Sequence, residues 1–449
     1  MLKPVDQHYR GAESIVRRLR EAGHRALLAG GCVRDLLRGE APQDYDIATD
    51  ARPADVEALF PGTRSVGRQF GVSLVAMDGQ AYEVAAFRTE SGYSDGRHPD
   101  VVAFCGPEED ARRRDFTING MFWDPVEDTV LDFVGGRADL ARGVLRAIGE
   151  PAERFGEDHL RLIRAVRFAA RLGFEIEPRT REAIRQTAPL LATVSPERLQ
   201  QELRIILTDG DPAGALRLMD SLGLLDVVFP EMADMRGCEQ PENYHPEGDV
   251  FVHTLLTVEK LGPHADFELA MAGLLHDVGK PEASRRTEPK RFPKHCQIGR
   301  EIARNVCRRL RLSNAETERI CWLVDRHLYF RDAPKMRPST LKRAFAHPGF
   351  DQLAALHRAD ALASWGNLDE YEYVMAKRRE LPAEQVAPEP LIMGADLIAM
   401  GYRPGPMFRR VLDAVRTAQL DGEIDTPEAA REMARRIASD RSCKDGTTL

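Results

Sequence analysis

The stretch LLAGGCVRDLLRGEAPQDYDIATD (27–50) constrains this chain more than any other. ALLAGG (26–31) reads as a buried strand ending in glycine, VRDLLRG as a helix, Ala41–Pro42 as a turn and Tyr45–Ile47 as the next strand. Residues i and i+2 of a strand share a face, so Asp44 and Asp46 are expected to project together. Glycines that bare backbone N–H groups suit phosphates, and paired carboxylates suit divalent cations. Two carboxylates that share two metal ions about 3.5–4 Å apart fit the activation of an attacking hydroxyl and the stabilisation of a departing pyrophosphate. Asp-x-Asp alone equally describes a solvated turn; Gly30–Gly31 and Arg34 upstream supply the phosphate context.

Around this stretch the pattern is mixed α/β. Pro53 opens a short helix, PADVEALF, and VSLVAM and QAYEVAAF flank Asp78–Gly79, a two-residue hairpin signal. Strand spacing is too irregular for a doubly wound sheet. From about residue 145 helical periodicity takes over, with breaks near Gly210–Pro212, 241–248, 280–294 and 381–390. At 449 residues the chain exceeds the roughly 250–300 that one core supports, so an α/β head followed by about three helical modules is expected.

Two further segments carry chemistry. RRRDFTINGMFWDP (112–125) sets arginines beside Asp115, with Asn119 one helical turn on, a spacing for a phosphate- or ribose-contacting helix start or for a solvated charge run. In GEDHLRLIRAVRFAARLGF (156–174), Leu162, Ile163, Val166, Ala169 and Ala170 share one helical arc; Arg161, Arg164, Arg167 and Arg171 take the opposite one. Asp158 and Arg161, three apart, would set an acceptor beside a donor, a pair able to hydrogen-bond the edge of a base in place of a template. The net charge of −8, from 63 basic and 71 acidic residues, argues against indiscriminate coating of nucleic acid but leaves room for a local basic groove. Seven scattered cysteines without a CxxC argue against a disulfide framework and against a thiolate zinc site. No apolar run approaches the roughly 20 residues of a membrane span and MLKPVDQHYR lacks a signal-peptide core, so a cytoplasmic location with no membrane partner is expected.

A second constellation lies downstream: YHPEGDVFVHT, LAMAGLLHDVGKP, KHCQIG and LVDRHLYF. His253, His276, Asp277 and His295 offer neutral imidazoles and a carboxylate, a donor set for a divalent metal acting on a phosphoester. The segments resemble the HD phosphohydrolase superfamily, whose ordered pattern implies a further, distant ligand; it is open between Asp325, the nearest candidate, and His327.

GGCVRDLLRGEAPQDYDIAT, SVGRQFGVSLV, FRTESGYSDGRHPD, RRDFTINGM and RFGEDHLRLIRAVRFAARLGF, in that order, resemble the motif set of class II tRNA nucleotidyltransferases, which bacterial poly(A) polymerases largely share. PLIMGADLIAMGYRPGPMF (390–408) resembles the tail of the same family, and the histidine segments resemble the HD phosphohydrolase superfamily. The resemblance implies an α+β fold: a nucleotidyltransferase palm of mixed sheet and helices over 1–145, a helical neck with base-reading and RNA-binding residues over 146–235, an HD domain over 236–340 and a helical, tRNA-binding tail over 341–449. It implies two Mg²⁺ ions on Asp44 and Asp46, phosphate and sugar contacts from Gly31 and Arg34, Arg114 facing the triphosphate or ribose, base reading by Asp158 and Arg161, and support from Arg164 and Arg167. The partners implied are a tRNA 3′ end with CTP and ATP, and the activity implied is template-independent addition of C, C and A.

The loop FRTESGYSDGRHPD (87–100) is intact, which disfavours pure CC addition and leaves A-only addition open. The C-terminus RSCKDGTTL lacks the basic extension frequent in poly(A) polymerases. Gly120 departs from the family's usual alanine, a matter of packing. The HD module is either a metal-dependent phosphohydrolase or a helical spacer. A phosphohydrolase with an RNA-binding head and a non-catalytic RNA-binding protein are the readings from other classes.

Overall fold

The computed structural model describes residue 4 and residues 6–65, 71–93, 96–240, 248–263, 265–285 and 292–439. Parts of the sequence segments 65–75, 87–100, 241–248 and 280–294, and the C-terminal RSCKDGTTL, lie outside the described residues. The chain divides into two compact units, one of residues 1–233 with 262–264 and 306–312, the other of the remainder.

In the first unit, strand β1 (Ala26–Ala29) sits near the middle of a seven-stranded mixed sheet. It pairs antiparallel with β2 (Asp46–Thr49) on one side and with β8 (Met121–Asp124) on the other. β2 continues in parallel to β5 (Gln80–Ala86), which forms a hairpin with β4 (Val72–Met77); β3 (Arg64–Ser65) and β9 (Thr129–Asp132) are the edges. The hairpin turns at Asp78–Gly79 with φ of 53° and 80°, the left-handed pair of a two-residue turn matched to strand twist. A separate ribbon pairs β6 (Arg88–Ser91) with β7 (Val101–Phe104).

The alternation in ALLA serves two cores. Ala26 and Leu28 pack with Tyr45, Ile47, Trp123 and the apolar face of helix α1 (Gln7–Glu21), whereas Leu27 and Ala29 pack with Ala48, Phe87 and Phe122. Helix α2 (Gly31–Arg38) leaves β1 directly, stops at Gly39 in the left-handed conformation, and is followed by β2; α3 (Pro53–Leu59) starts at Pro53 as the sequence indicates. β2 begins at Asp46, so Asp44 belongs to the extended segment before the strand rather than to the expected strand Tyr45–Ile47. α4 (Pro107–Arg112) ends before Asp115, and Thr117–Asn119 forms a single 3₁₀ turn, so the expected helix start at Asp115 is absent. Gly120 is close-packed: a Cβ there would stand 2.7 Å from Val134 Cγ2 and 3.0 Å from Ile148 Cδ1.

Beyond α5 (Gly136–Arg142) the first unit is helical, apart from a short parallel pair at 144–145 and 175–176. The arginine segment is not one helix. α6 (Pro151–Glu157) ends at Asp158, and α7 (Arg161–Leu172) begins three residues later. α7 packs against α9 (Pro196–Thr208) and α10 (Pro212–Ser221). The second unit is built of helices, among them α12 (Val250–Leu261), α13 (Phe267–Leu275), α15 (His295–Arg309), α16 (Asn314–Arg326) and α18 (Phe350–Ala363), numbered over the whole chain. Among the described residues no helix is long and apolar enough to cross a membrane.

The turn carrying Asn119 is held by close approach. A Cβ on Gly136 would lie 2.2 Å from the Thr117 carbonyl oxygen and 2.8 Å from Met121 Cγ. Gly136→Ala is therefore expected to destabilise the head by about 1–3 kcal/mol, the usual cost of overpacking, in a denaturant titration. An unchanged midpoint would show that the turn yields freely.

Candidate active site

Asp46 leads β2 on the face shared with Ala48, opposite the buried Tyr45 and Ile47, and Asp44 precedes it by one full alternation. Both residues reach solvent, and they line a cleft of ≈ 450 Å³, within the range of small-molecule sites, whose surroundings partly desolvate the Asp46 carboxyl. Burial among the surrounding groups, then the charges of Glu83 and Asp44, push Asp46 up to about 6 against the opposing pull of Arg114. Glu83 stands in the strand beside Asp46, one residue before the Ile47–Val84 pairing. Its signal was in the sequence: in QAYEVAAF, Tyr82 and Val84 face the core and Glu83 faces away.

Gly30, at φ 73°, turns the chain from β1 into α2; a side chain there would meet Arg114 Nη1 at 2.9 Å. Glycine thus lets the Arg114 guanidinium close over the strand end, near the first turn of α2, whose N–H groups lack intrahelical partners. Arg114 is held by Asp110 at 3.0 Å and Arg34 by Asp35 at 2.7 Å.

Behind them runs a buried network. Arg34 Nη1 donates to Asn119 Oδ1 at 2.8 Å, Asn119 Nδ2 donates to Asp115 Oδ1 at 3.1 Å, and Arg164 donates to Asp115 Oδ2 at 2.6 and 3.0 Å. Asp115 and Asn119 meet as their spacing indicates, through the 3₁₀ turn instead of a helix. Burial raises Asp115, but the charge and hydrogen bonds of Arg164, with Asn119, outweigh it and hold the carboxyl at about 2. Glu202 of α9 bridges Arg167 at 3.2 Å and Arg164 at 3.7 Å. Phe168 lies beneath three guanidinium groups, Arg167 at 4.5 Å, Arg164 at 5.2 Å and Arg34 at 5.3 Å from its ring centre. Sequence reasoning missed Phe168 and Glu202, since a phenylalanine in an apolar helix and a glutamate in a distant one carry no local signal.

Asp158 and Arg161 both line the cleft, but not as a pair on one helix. Asp158 accepts from Arg198 at 2.8 and 3.1 Å. Arg161 is buried and donates to Glu157 Oε2 at 2.6 Å and to the carbonyls of Arg154 and Arg113 at 2.9 Å each. Arg171 also borders the cleft. The arginine arc of α7 is a lined wall, not a solvated face.

The second unit brings together His253, His276, Asp277 and His295, and adds His327 and Asp360. His253 Nε2 is 2.8 Å from Asp360 Oδ1, and Asp277 Oδ2 is 3.2 Å from His276 Nε2 and 3.8 Å from His253 Nε2. Asp325, the nearest candidate by sequence, instead faces Arg300 at 3.7 Å. Asp360 was missed because it sits on α18, far in sequence from the histidines and the other aspartate of the cluster. His276, His295 and His327 each place Nδ1 2.8–2.9 Å from the carbonyl oxygen three residues earlier, which turns every Nε2 lone pair inward. Asp277 Oδ1 and His276 Nε2 are buried without hydrogen-bond partners. Orphaned acceptors of this kind fit a divalent cation. Lys280 Nζ contacts Asp277 Oδ2 at 2.6 Å, and burial pushes His327 down to about 3.

Because Asp46 is raised when folded, its contribution to stability is present at low pH and is lost as pH rises through about 6. Asp46→Asn is therefore expected to raise the melting temperature of the metal-free protein at pH 7–8, and a divalent cation should stabilise the wild type more than the variant. Equal responses in thermal melts would remove Asp46 from cation binding.

Residues 26–146 match the poly(A) polymerase head domain family, 173–236 the probable RNA- and SrmB-binding site of polymerase A, and 250–365 the HD domain. The chain is 34% identical to the A-adding tRNA nucleotidyltransferase of Deinococcus radiodurans over 92% of this chain and 96% of that one. It is 45% identical to the CCA-adding enzyme of Geobacillus stearothermophilus, in a match spanning 52% of this chain and 56% of that one. The crystal structure of the Bacillus stearothermophilus CCA-adding enzyme in complex with CTP superposes with a TM-score of 0.75 at 30% identity, covering 98% of this chain and 100% of that one. With the paired aspartates, the arginine-walled cleft and the histidine cluster in place, the chain belongs to the class II tRNA nucleotidyltransferase and poly(A) polymerase family.

Proposed function

We propose that the protein completes tRNA 3′ ends, adding C, C and A from CTP and ATP without a template. One observation carries this: Asp44 and Asp46 share a single cleft with Arg34, Arg114, Arg164 and Arg167. The tRNA 3′-hydroxyl attacks the α-phosphorus, the new O–P bond forms, the bond to the bridging oxygen breaks, and pyrophosphate leaves as the hydroxyl proton passes to solvent. Arg34, Arg114 and the open amides at Gly31 would neutralise and orient the triphosphate, and Arg164 and Arg167, which share the Phe168 ring with Arg34, would hold that orientation. Asp44 and Asp46 would hold Mg²⁺, which when bound activates the attacking oxygen and neutralises charge on the phosphates.

Asp158 and Arg161 are assigned to base reading. In support, both border the same cleft, and Nε–H and one Nη2–H of Arg161 have no partner among the described residues. Asp158 would exchange its Arg198 contact for the base edge. A tRNA substrate would be met in the cytoplasm. A-only addition is the second reading, favoured by the Deinococcus relative that matches over nearly the whole chain. In the second unit, His253, His276, Asp277 and Asp360 would hold a divalent metal for phosphoester hydrolysis, in support of which stand the inward lone pairs and the orphaned Asp277 Oδ1.

Incubation of the protein with Mg²⁺ and tRNA lacking its CCA end is expected to give two C and one A with both nucleotides, then arrest. Incorporation only of A, and only onto tRNA ending in CC, would establish the second reading; a long A tail on unrelated RNA would establish a poly(A) polymerase. Asp44→Ala should abolish incorporation. Arg161→Ala should relax the choice between CTP and ATP by more than it raises the KM for either; unchanged selectivity would remove the base-reading role.

A further inference from the structure

Asp158 ends α6 in an extended conformation and meets two kinds of donor. Oδ1 accepts the main-chain N–H of Leu160 at 3.1 Å, a local side-chain turn, and Nη1 of Arg198 at 3.1 Å; Oδ2 accepts Nη2 of Arg198 at 2.8 Å. The Arg198 fork therefore lies head-on across both oxygens, the bidentate arrangement that a planar guanidinium favours. Arg198 stands in the first turn of α9, and its side chain and that of Asp158 are 22% and 23% exposed. Glu202, one turn along α9, spends its oxygens on Arg164 and Arg167. An ion pair this open to water contributes little to stability, yet it sits on a residue that lines the cleft.

We propose that Arg198 decides which bases the cleft accepts: it holds the two-oxygen face of Asp158 and thereby excludes guanine. The assignment rests on reading Asp158 as a base contact. A carboxylate offers about four lone-pair sites. Oδ1 is filled by Leu160 and Nη1, so a base reaches Asp158 through Oδ2, taking over the Nη2 contact while Oδ1 keeps both of its donors.

That single oxygen suits some bases and not others. Cytosine and adenine each present one exocyclic amino group beside a ring-nitrogen acceptor, and one N–H on Oδ2 satisfies either. Guanine sets N1–H and N2–H side by side, and its favourable approach to a carboxylate is head-on to both oxygens. Arg198 holds that face. Guanine must displace both guanidinium bonds and strand a charged group, whereas cytosine and adenine displace one and leave the other in place. Uracil, with a single ring N–H between two carbonyls, gains nothing from a second oxygen.

Nucleotide binding to the full-length protein, with single-nucleotide incorporation on tRNA lacking its CCA end, tests this. Inosine triphosphate carries guanine's edge without the 2-amino group. The wild type is expected to bind GTP and inosine triphosphate equally weakly, a comparison that needs no variant. Arg198→Ala should tighten GTP relative to inosine triphosphate by about tenfold or more, the worth of one hydrogen bond to a charged group. It should also raise incorporation of GTP relative to CTP without raising that of UTP. Arg198→Lys, which keeps the charge and loses the fork, should behave as Arg198→Ala does. Wild type that binds GTP markedly tighter than inosine triphosphate would overturn the proposal. So would variants that keep the wild-type ratio, a lysine variant that restores exclusion, or GTP and UTP admitted together, the mark of a site merely loosened. Asp158→Ala separates the two levels of failure. Unchanged selectivity there removes the base contact itself, and selectivity altered there but not in Arg198→Ala removes only the part assigned to Arg198.

Discussion

Asp115 receives Arg164 from α7 and Asn119 from its own turn, and the arrangement of the head's cleft depends on that clamp. Through Asn119 it reaches Arg34 on α2, and through Arg164 it reaches Glu202 on α9 and thence Arg167. Helix α2, the 3₁₀ turn and the neck helices are thereby tied by one chain of hydrogen bonds and ion pairs. Removing one partner from such a buried pair leaves an uncompensated charge, at a cost of about 3–5 kcal/mol. The clamp's value to function is positional: guanidinium groups fixed before a triphosphate arrives need no reorganisation during the reaction.

The same logic explains why glycine and phenylalanine matter as much as the charged groups. Gly30 makes room for Arg114, and Phe168 offers its ring face to three guanidinium groups whose hydrogen bonds are taken up sideways. Asp44 and Asp46 bring negative charge to the same cleft, and desolvation first, then the charges of Glu83 and Asp44, raise Asp46. A cleft with a cationic wall and an anionic floor suits a ligand that is itself an anion carrying a divalent cation.

Much of this was legible in the sequence because it depended on local rules. The β1–α2 turn, the Asp78–Gly79 hairpin and the Pro53 helix follow from glycine, two-residue turn and proline preferences, and all three stand where they were expected. Illegible were the features decided by tertiary packing. A helix through Asp158 is sound by periodicity, yet Arg198 from α9 captures the Asp158 carboxylate and the chain breaks there. Asp325 lies closest in sequence to His327, but the carboxylate that reaches the histidine cluster comes from Asp360 on another helix. Ligands contributed by a single residue of a distant helix leave no spacing to read.

The account stands on a nucleotide and its metal meeting between Asp44, Asp46 and the arginine wall. A crystal of the protein with Mn²⁺ and a non-hydrolysable CTP or ATP analogue, measured at the manganese edge, tests that meeting directly. The account predicts an anomalous peak within bonding distance of both carboxylates, with the triphosphate running from it toward Arg34 and Arg114. A nucleotide bound elsewhere, or a peak that touches neither aspartate, would contradict it.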